Sequence, residues 1–202
     1  MNQELIYLAS GSPRRRELLG QIGVTHAIHV VSVDETPQPG EDPIDLTRRL
    51  ALDKATTAWQ ELNGASGRLV IGADTTVVID GEILGKPHDR DAAALMLRRL
   101  SGRSHDVHTA VAGVMEAERH VCASTSTVNF RNLEAGEIDA YVATDEPLDK
   151  AGAYAIQGLA AVFIEYLEGS YSGVMGLPLF ETAALMREFG HDVLACAPGV
   201  AP

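Results

Sequence analysis

The chain opens on an apolar run, Leu5-Ile6-Tyr7-Leu8-Ala9, which breaks at Ser10-Gly11-Ser12-Pro13 and passes into the helix-like Arg14 to Ile22. This pattern predicts a strand, a tight turn and a helix. Ser12 is the expected N-cap, and Pro13 suits the first helical position, where its missing N–H costs nothing. A strand is expected at Ala27 to Val31, then an acidic, Pro-rich loop at Asp34 to Pro43. Leu46, Leu50, Ala51 and Ala58 recur at helical spacing and predict a long helix from about Pro43 to Leu62. Two apolar runs follow, Leu69-Val70-Ile71 and Val77-Val78-Ile79, interrupted by Gly72-Ala73-Asp74-Thr75. A polar break in a β-rich segment marks a bulge or a site. Asp80-Gly81 predicts a hairpin into Glu82-Ile83-Leu84. Asp89 to Leu100 reads as a helix capped by Asp89.

From Arg103 to Asn132 the alternation favours an antiparallel pair turning near Glu116-Ala117-Glu118. A short helix is expected at Glu134 to Ala143, a Gly- and Ala-rich segment at Asp149 to Gly158, a strand at Ala160 to Leu167, and a closing helix at Leu177 to Phe189. There is no internal repeat. Residues 1–192 read as one domain, and the aperiodic 193–202 as a mobile tail. Helices alternate with strands early and hairpins dominate the middle, so the expected fold class is mixed α/β with a twisted central sheet.

Composition narrows the function. The 202 residues are 46% hydrophobic and 22% charged, enough apolar material for one substantial core. No signal-like segment opens the chain, and no apolar stretch approaches the roughly 20 residues of a membrane span, so a cytoplasmic protein is expected. Cys122 and Cys196 lack metal or redox spacing. A formal charge of −12 argues against a duplex nucleic-acid partner, which requires a broad basic face. Small anions remain open if the few cations converge. The only lysines are Lys54, Lys86 and Lys150, and each falls in or beside a motif-like segment.

Ser10 to Arg16 joins a strand end to a helix start, where free N–H groups favour an anion; a solvated basic turn is the equal alternative. Asp74, between apolar runs, is costly to bury unless it caps, pairs or reacts. As a functional residue it would be a metal ligand or a general base. Lys86 in Gly85-Lys86-Pro87 is expected near Asp74 across adjacent strands, unless it is a surface turn lysine. Lys54, among small and apolar helix neighbours, either snorkels to solvent or has a buried role. Asp34-Glu35 offers paired carboxylates for magnesium, or a solvated acidic loop. The histidines form no metal or catalytic pattern, and no serine or cysteine stands in a nucleophile motif. The remaining carboxylates, lysines and arginines around glycine-rich turns suit water attack on a phosphate.

These residues resemble the Maf family of nucleotide pyrophosphatases from about Leu5 to Phe189. The resemblance rests on five ordered segments: Leu8 to Arg15, Val33-Asp34-Glu35, Gly72-Ala73-Asp74-Thr75 with Gly85-Lys86-Pro87, Asp149 to Gly158, and Gly169 to Pro178. It implies hydrolysis of a nucleoside triphosphate to the monophosphate and pyrophosphate with a divalent cation, Mg or Mn. It also implies an elongated two-lobed fold with a central nucleotide cleft, and possible homodimers. On the resemblance, Asp74 is the proton acceptor and Lys54 and Lys86 serve the phosphates. Ser10, Arg14, Arg15, Thr75 and Gln157 contact substrate, and Asp34, Glu35 and Asp74 face the metal. Arg14, Thr75 and Gln157 match the branch acting on dTTP and UTP, a role that would limit excess or non-standard pyrimidine nucleotides. The alternatives are the 7-methyl-GTP branch, opposed by Gln157, and a nucleotide-binding regulator of septum formation.

Overall fold

Residues 5–195 are described by the structure, a computed structural model. The first third alternates β1 (Ile6–Leu8), α1 (Pro13–Gln21), β2 (His26–Ile28) and α2 (Pro43–Glu61). Then come β3 (Val70–Ile79), β4 (Glu82–Leu84), α3 (Arg90–Leu100), β5 (Ser104–Met115) and β6 (Glu118–Phe130). The chain closes with α4 (Ala135–Val142), β7 (Ile164–Glu168), α5 (Tyr171–Met175) and α6 (Leu179–Glu188). Among the described residues the strands form one seven-stranded sheet in the order β2-β1-β3-β5-β6-β7, with β4 also paired to β3. β1 runs parallel to β2 and β3, and the remaining pairs are antiparallel.

Local chemistry explains most boundaries. Asp42 accepts from Ile44 N–H and Asp89 from Ala92 N–H, capping α2 and α3. Asp80 and Gly81 both have positive φ, as a two-residue hairpin turn between Ile79 and Glu82 requires. Ser12 sits at the N-cap of α1, but its side chain makes no capping bond; its N–H donates to Ser10 Oγ instead.

Other expectations are corrected. Gly72 to Thr75 does not break the strand, because β3 pairs with β5 in unbroken register from Val70 to Val78. The strand expected at 160–167 begins only at Ile164. Before it, Leu159–Phe163 winds as a 3₁₀ turn that buries Ala160 and Phe163, three apart, and exposes Leu159 and Val162. The five-residue α5 is too short to show periodicity, and α6 starts after Pro178 rather than at Leu177. Of the expected tail, Val193 packs against a core cluster; residues 196–202, Cys196 among them, lie outside the described residues.

The two largest clusters of the hydrophobic interior lie apart along the sheet. One cluster joins β1, the start of β3, α1 and α6 around Leu8, Leu19, Ile71 and Leu185. The other joins the end of β3, α3, α4 and β6 around Val77, Leu97, Phe130 and Ile138. These are the two lobes of a mixed α/β fold, and β3 runs through both.

Candidate active site

The lobes part where β3 loses a neighbour. On one edge β3 pairs with β5 along nearly its whole length. On the other, β1 covers only Val70 and Ile71, and β4 covers only Val77 to Ile79. No described strand lies beside residues 72–76 on that edge, and Asp74 is the middle of the gap. Because β1 is parallel and β4 antiparallel to β3, both run their carboxyl ends toward it. They deliver Ser10 from one side and Gly85-Lys86 from the other. Carboxyl ends of strands beside a break in sheet order are where open α/β sheets bind ligands.

Asp74 projects to the face covered by α2. That helix lies unusually close, since a Cβ on Gly72 would stand 2.3 Å from the Ala51 carbonyl oxygen and 2.6 Å from the Ala55 nitrogen. Ala51, Ala55, Ala110 and Ala112 form the thin layer between helix and sheet. Lys54 emerges from this face, and its Nζ donates to Asp74 Oδ1 at 2.7 Å and meets Glu35 Oε1 at 2.6 Å. Asp74 is 8% exposed and the Lys54 side chain 14%, so the pair is largely withdrawn from water. Asp74 Oδ2 accepts no hydrogen bond from the described residues, which leaves it free for a water. The bond from Lys54 holds Glu35 below the usual carboxylate range.

The opposite face of β3 carries Thr75 and, from α1, two arginines. Arg15 spans three segments: Nε donates to Gly176 O at 2.7 Å, Nη1 to Ser10 Oγ at 3.3 Å and Nη2 to Thr75 Oγ1 at 3.3 Å. Burial lowers its pKa, and Asp74 opposes that shift. Its guanidinium stays protonated all the same. Arg14 donates to Met175 O at 3.3 Å and faces Asp149 at 3.8 Å. Arg16 is exposed. Successive helix positions thus separate the three arginines as expected.

A cleft of about 740 Å³ connects these groups, within the size range of small-molecule sites. Ser10, Arg14, Arg15, Glu35, Lys54 and Asp74 line it together with Thr75, Lys86 and Gln157. The structure therefore brings together every residue singled out in the sequence except Asp34. That side chain accepts from Thr36 N–H in a local turn and does not reach the cleft wall. The pairing of Asp34 with Glu35 fails because neighbours in an extended segment point apart. Among the described residues, no group of three or more His, Cys, Asp or Glu side chains is arranged to hold a metal ion.

Lys150 and Tyr154 also line the cleft, and neither was given a role in the sequence. Lys150 sits on the wall held by Asp149, and the scarcity of lysine was the signal for it. Tyr154 is buried with its hydroxyl 2.8 Å from His105 Nε2, and its place in the Asp149 to Gly158 segment, one of those that carry the family resemblance, was the signal for it.

A family model described as Maf-like protein matches residues 5–189. A dTTP/UTP pyrophosphatase of Alkalilimnicola ehrlichii is 54% identical over 190 residues, covering 93% of this chain and 94% of that protein. One from Chromobacterium violaceum is 51% identical over 195 residues, covering 95% and 98%. Among solved structures, a HAM1 protein from Coxiella burnetii aligns with a TM-score of 0.50 at 16% identity, covering 91% of this chain and 98% of that one. At that identity the likeness concerns the fold alone.

Proposed function

Because the chain belongs to the Maf-like protein family, we propose that it is a nucleoside triphosphate pyrophosphatase that hydrolyses dTTP and UTP to the monophosphate and pyrophosphate. The observation that carries the reading is the Lys54 bridge between Asp74 and Glu35 at the gap in the sheet, with Arg15 and Lys86 on the walls of the same cleft. A carboxylate with one oxygen held and the other free is suited to take a proton from water. Cations on both sides are suited to the negative charge that gathers on the phosphates.

In this reading Asp74 Oδ2 accepts the proton of the attacking water, and the anhydride bond between the α- and β-phosphates breaks. Lys54 fixes the carboxylate, and with Lys86 it receives the charge of the departing pyrophosphate. Ser10 and Arg15 hold phosphate oxygens, while Arg14, Thr75 and Gln157 face the nucleoside. A hard divalent cation such as magnesium needs only one or two carboxylates when substrate phosphates complete its shell, and Asp74 with Glu35 meets that requirement. Such an ion would neutralise phosphate charge and polarise the bond to be broken. Asp34 is left out of this set. The domain is read as one catalytic unit acting in the cytoplasm. No helix of the described residues is long and apolar enough to cross a membrane, and a homodimer or monomer is equally compatible with the cleft.

The test is pyrophosphate release from a panel of nucleoside triphosphates with magnesium or manganese. Turnover of dTTP and UTP should exceed that of purine triphosphates; equal or better turnover of the purines would remove the substrate assignment.

A further inference from the structure

Directly across from Thr75, in the antiparallel register of β3 and β5, stands the buried Thr109. Its Oγ1 lies 2.8 Å from the carbonyl oxygen of Gly173 and 3.1 Å from Thr75 Oγ1. A threonine hydroxyl has one proton and two lone pairs, whereas a carbonyl oxygen only accepts. Both contacts have the geometry of donation by Thr109, which has one proton for the two; assigning it to Gly173, the shorter contact and the better acceptor, leaves the contact between the hydroxyls to the Thr75 proton. On its other side Thr75 meets Arg15 Nη2 at 3.3 Å, a group that only donates, so one Thr75 lone pair is taken there. One lone pair remains, and Thr75 lines the cleft. The chain of donors is anchored at its far end, because Gly173 N–H is itself held by Ser170 Oγ at 3.0 Å and α5 is fixed by that cap.

We infer that Thr109 is a positioning residue for nucleotide selection, which fixes the direction of the Thr75 hydroxyl and makes it an obligate acceptor toward the cleft. The inference rests on the pyrophosphatase reading and deepens it. Phosphate oxygens of a bound triphosphate carry no proton to give, so this lone pair has no use for the phosphates and is suited to the nucleoside. Uracil and thymine present N3–H, a donor. Cytosine presents a lone pair at the same ring position and would set acceptor against acceptor. Selection of UTP over CTP at this point then depends on a residue that does not touch the substrate. Without the Thr109 hydroxyl, Thr75 is free to rotate its proton into the cleft and receive cytosine as well.

The test compares kcat/KM for UTP and CTP in the full chain, for wild type, Thr109→Val and Thr109→Ser, with folding checked by circular dichroism. Valine keeps the shape and removes the hydroxyl; serine keeps it. The UTP-to-CTP ratio should fall about tenfold in the valine variant, chiefly by a gain on CTP, and stay near wild type in the serine variant. A valine variant with the wild-type ratio overturns the inference, as does a serine variant that loses the ratio as fully as valine. If the valine variant does not fold, the unaltered protein decides with UTP methylated at N3. Its kcat/KM should fall at least about a hundredfold below UTP, and equal turnover overturns the inference. A wild-type protein idle on both dTTP and UTP is a separate outcome, which removes the pyrophosphatase reading and this inference with it.

Discussion

A carboxylate in the centre of a buried strand gives up most of its hydration, and Asp74 keeps its place because Lys54 supplies a charge at 2.7 Å. That pairing alone is compatible with a structural ion pair. What distinguishes Asp74 is its unbonded second oxygen at the cleft, and substitutions can separate the two roles. Asp74→Asn keeps the shape and can still accept from Lys54, but it cannot take a proton. It should lower kcat by at least roughly 10² while the protein remains folded. Glu35→Gln should raise the concentration of magnesium needed for half-maximal rate. Asp34→Asn, in its exposed turn with Thr36, should leave the rate within about a factor of two. Steady-state kinetics across a magnesium titration reads all three. Near-normal turnover by the Asp74→Asn variant would move the base elsewhere, with Glu35 the next carboxylate in the cleft.

At the scale of elements, the site depends on how closely α2 approaches β3. Any side chain at position 72 would drive a carbon into the backbone of the helix, where no rotamer change gives relief. Gly72→Ala should destabilise the fold by about 1–3 kcal/mol and draw Lys54 away from Asp74. Activity should then fall further than the folded fraction does, a difference visible when urea unfolding is set beside kcat. If activity simply tracks the folded population, the close approach serves stability alone. The long helices and tight hairpins were legible in the sequence, because amphipathic spacing and the turn chemistry of Asp80-Gly81 are local. The gap beside residues 72–76 was not, since it arises from where β1 ends and β4 begins, a matter of pairing between distant segments. For the same reason Asp74 and Lys54 could be nominated one by one, whereas the Thr75–Thr109 contact could not: those residues are opposed only by strand register. Alternation likewise gave no warning that 159–163 would wind rather than extend.

At the scale of the whole molecule, the lobes share β3 but differ in what they bury. The lobe around α3 and α4 encloses His105, 3% exposed, edge-on to the rings of Phe130 and Tyr154. Its Nε2 pairs with the Tyr154 hydroxyl, while Nδ1 is buried with no hydrogen-bond partner among the described residues. Burial drops its pKa from 6.5 to about 4, and the neighbouring Asp106 offsets this only in part. The unfolded chain therefore takes up a proton that the folded lobe refuses between those two values. The stability held in a neutral His105 is complete above about pH 7, declines as pH falls through 6.5, and is lost by about pH 4. By pH 5 the loss is about 2 kcal/mol from this residue. Carboxylates and the other histidines also titrate on acidification, so the comparison has to be made against a variant. Glutamine at this position can still hydrogen-bond Tyr154 but does not take up a proton. Between pH 7.5 and pH 5, unfolding free energies from urea titrations should fall about 2 kcal/mol less in His105→Gln than in wild type. Parallel pH slopes for the two proteins would mean that the ring is protonated in the folded state. The lobe would then have to open, or admit water to Nδ1, well above pH 5.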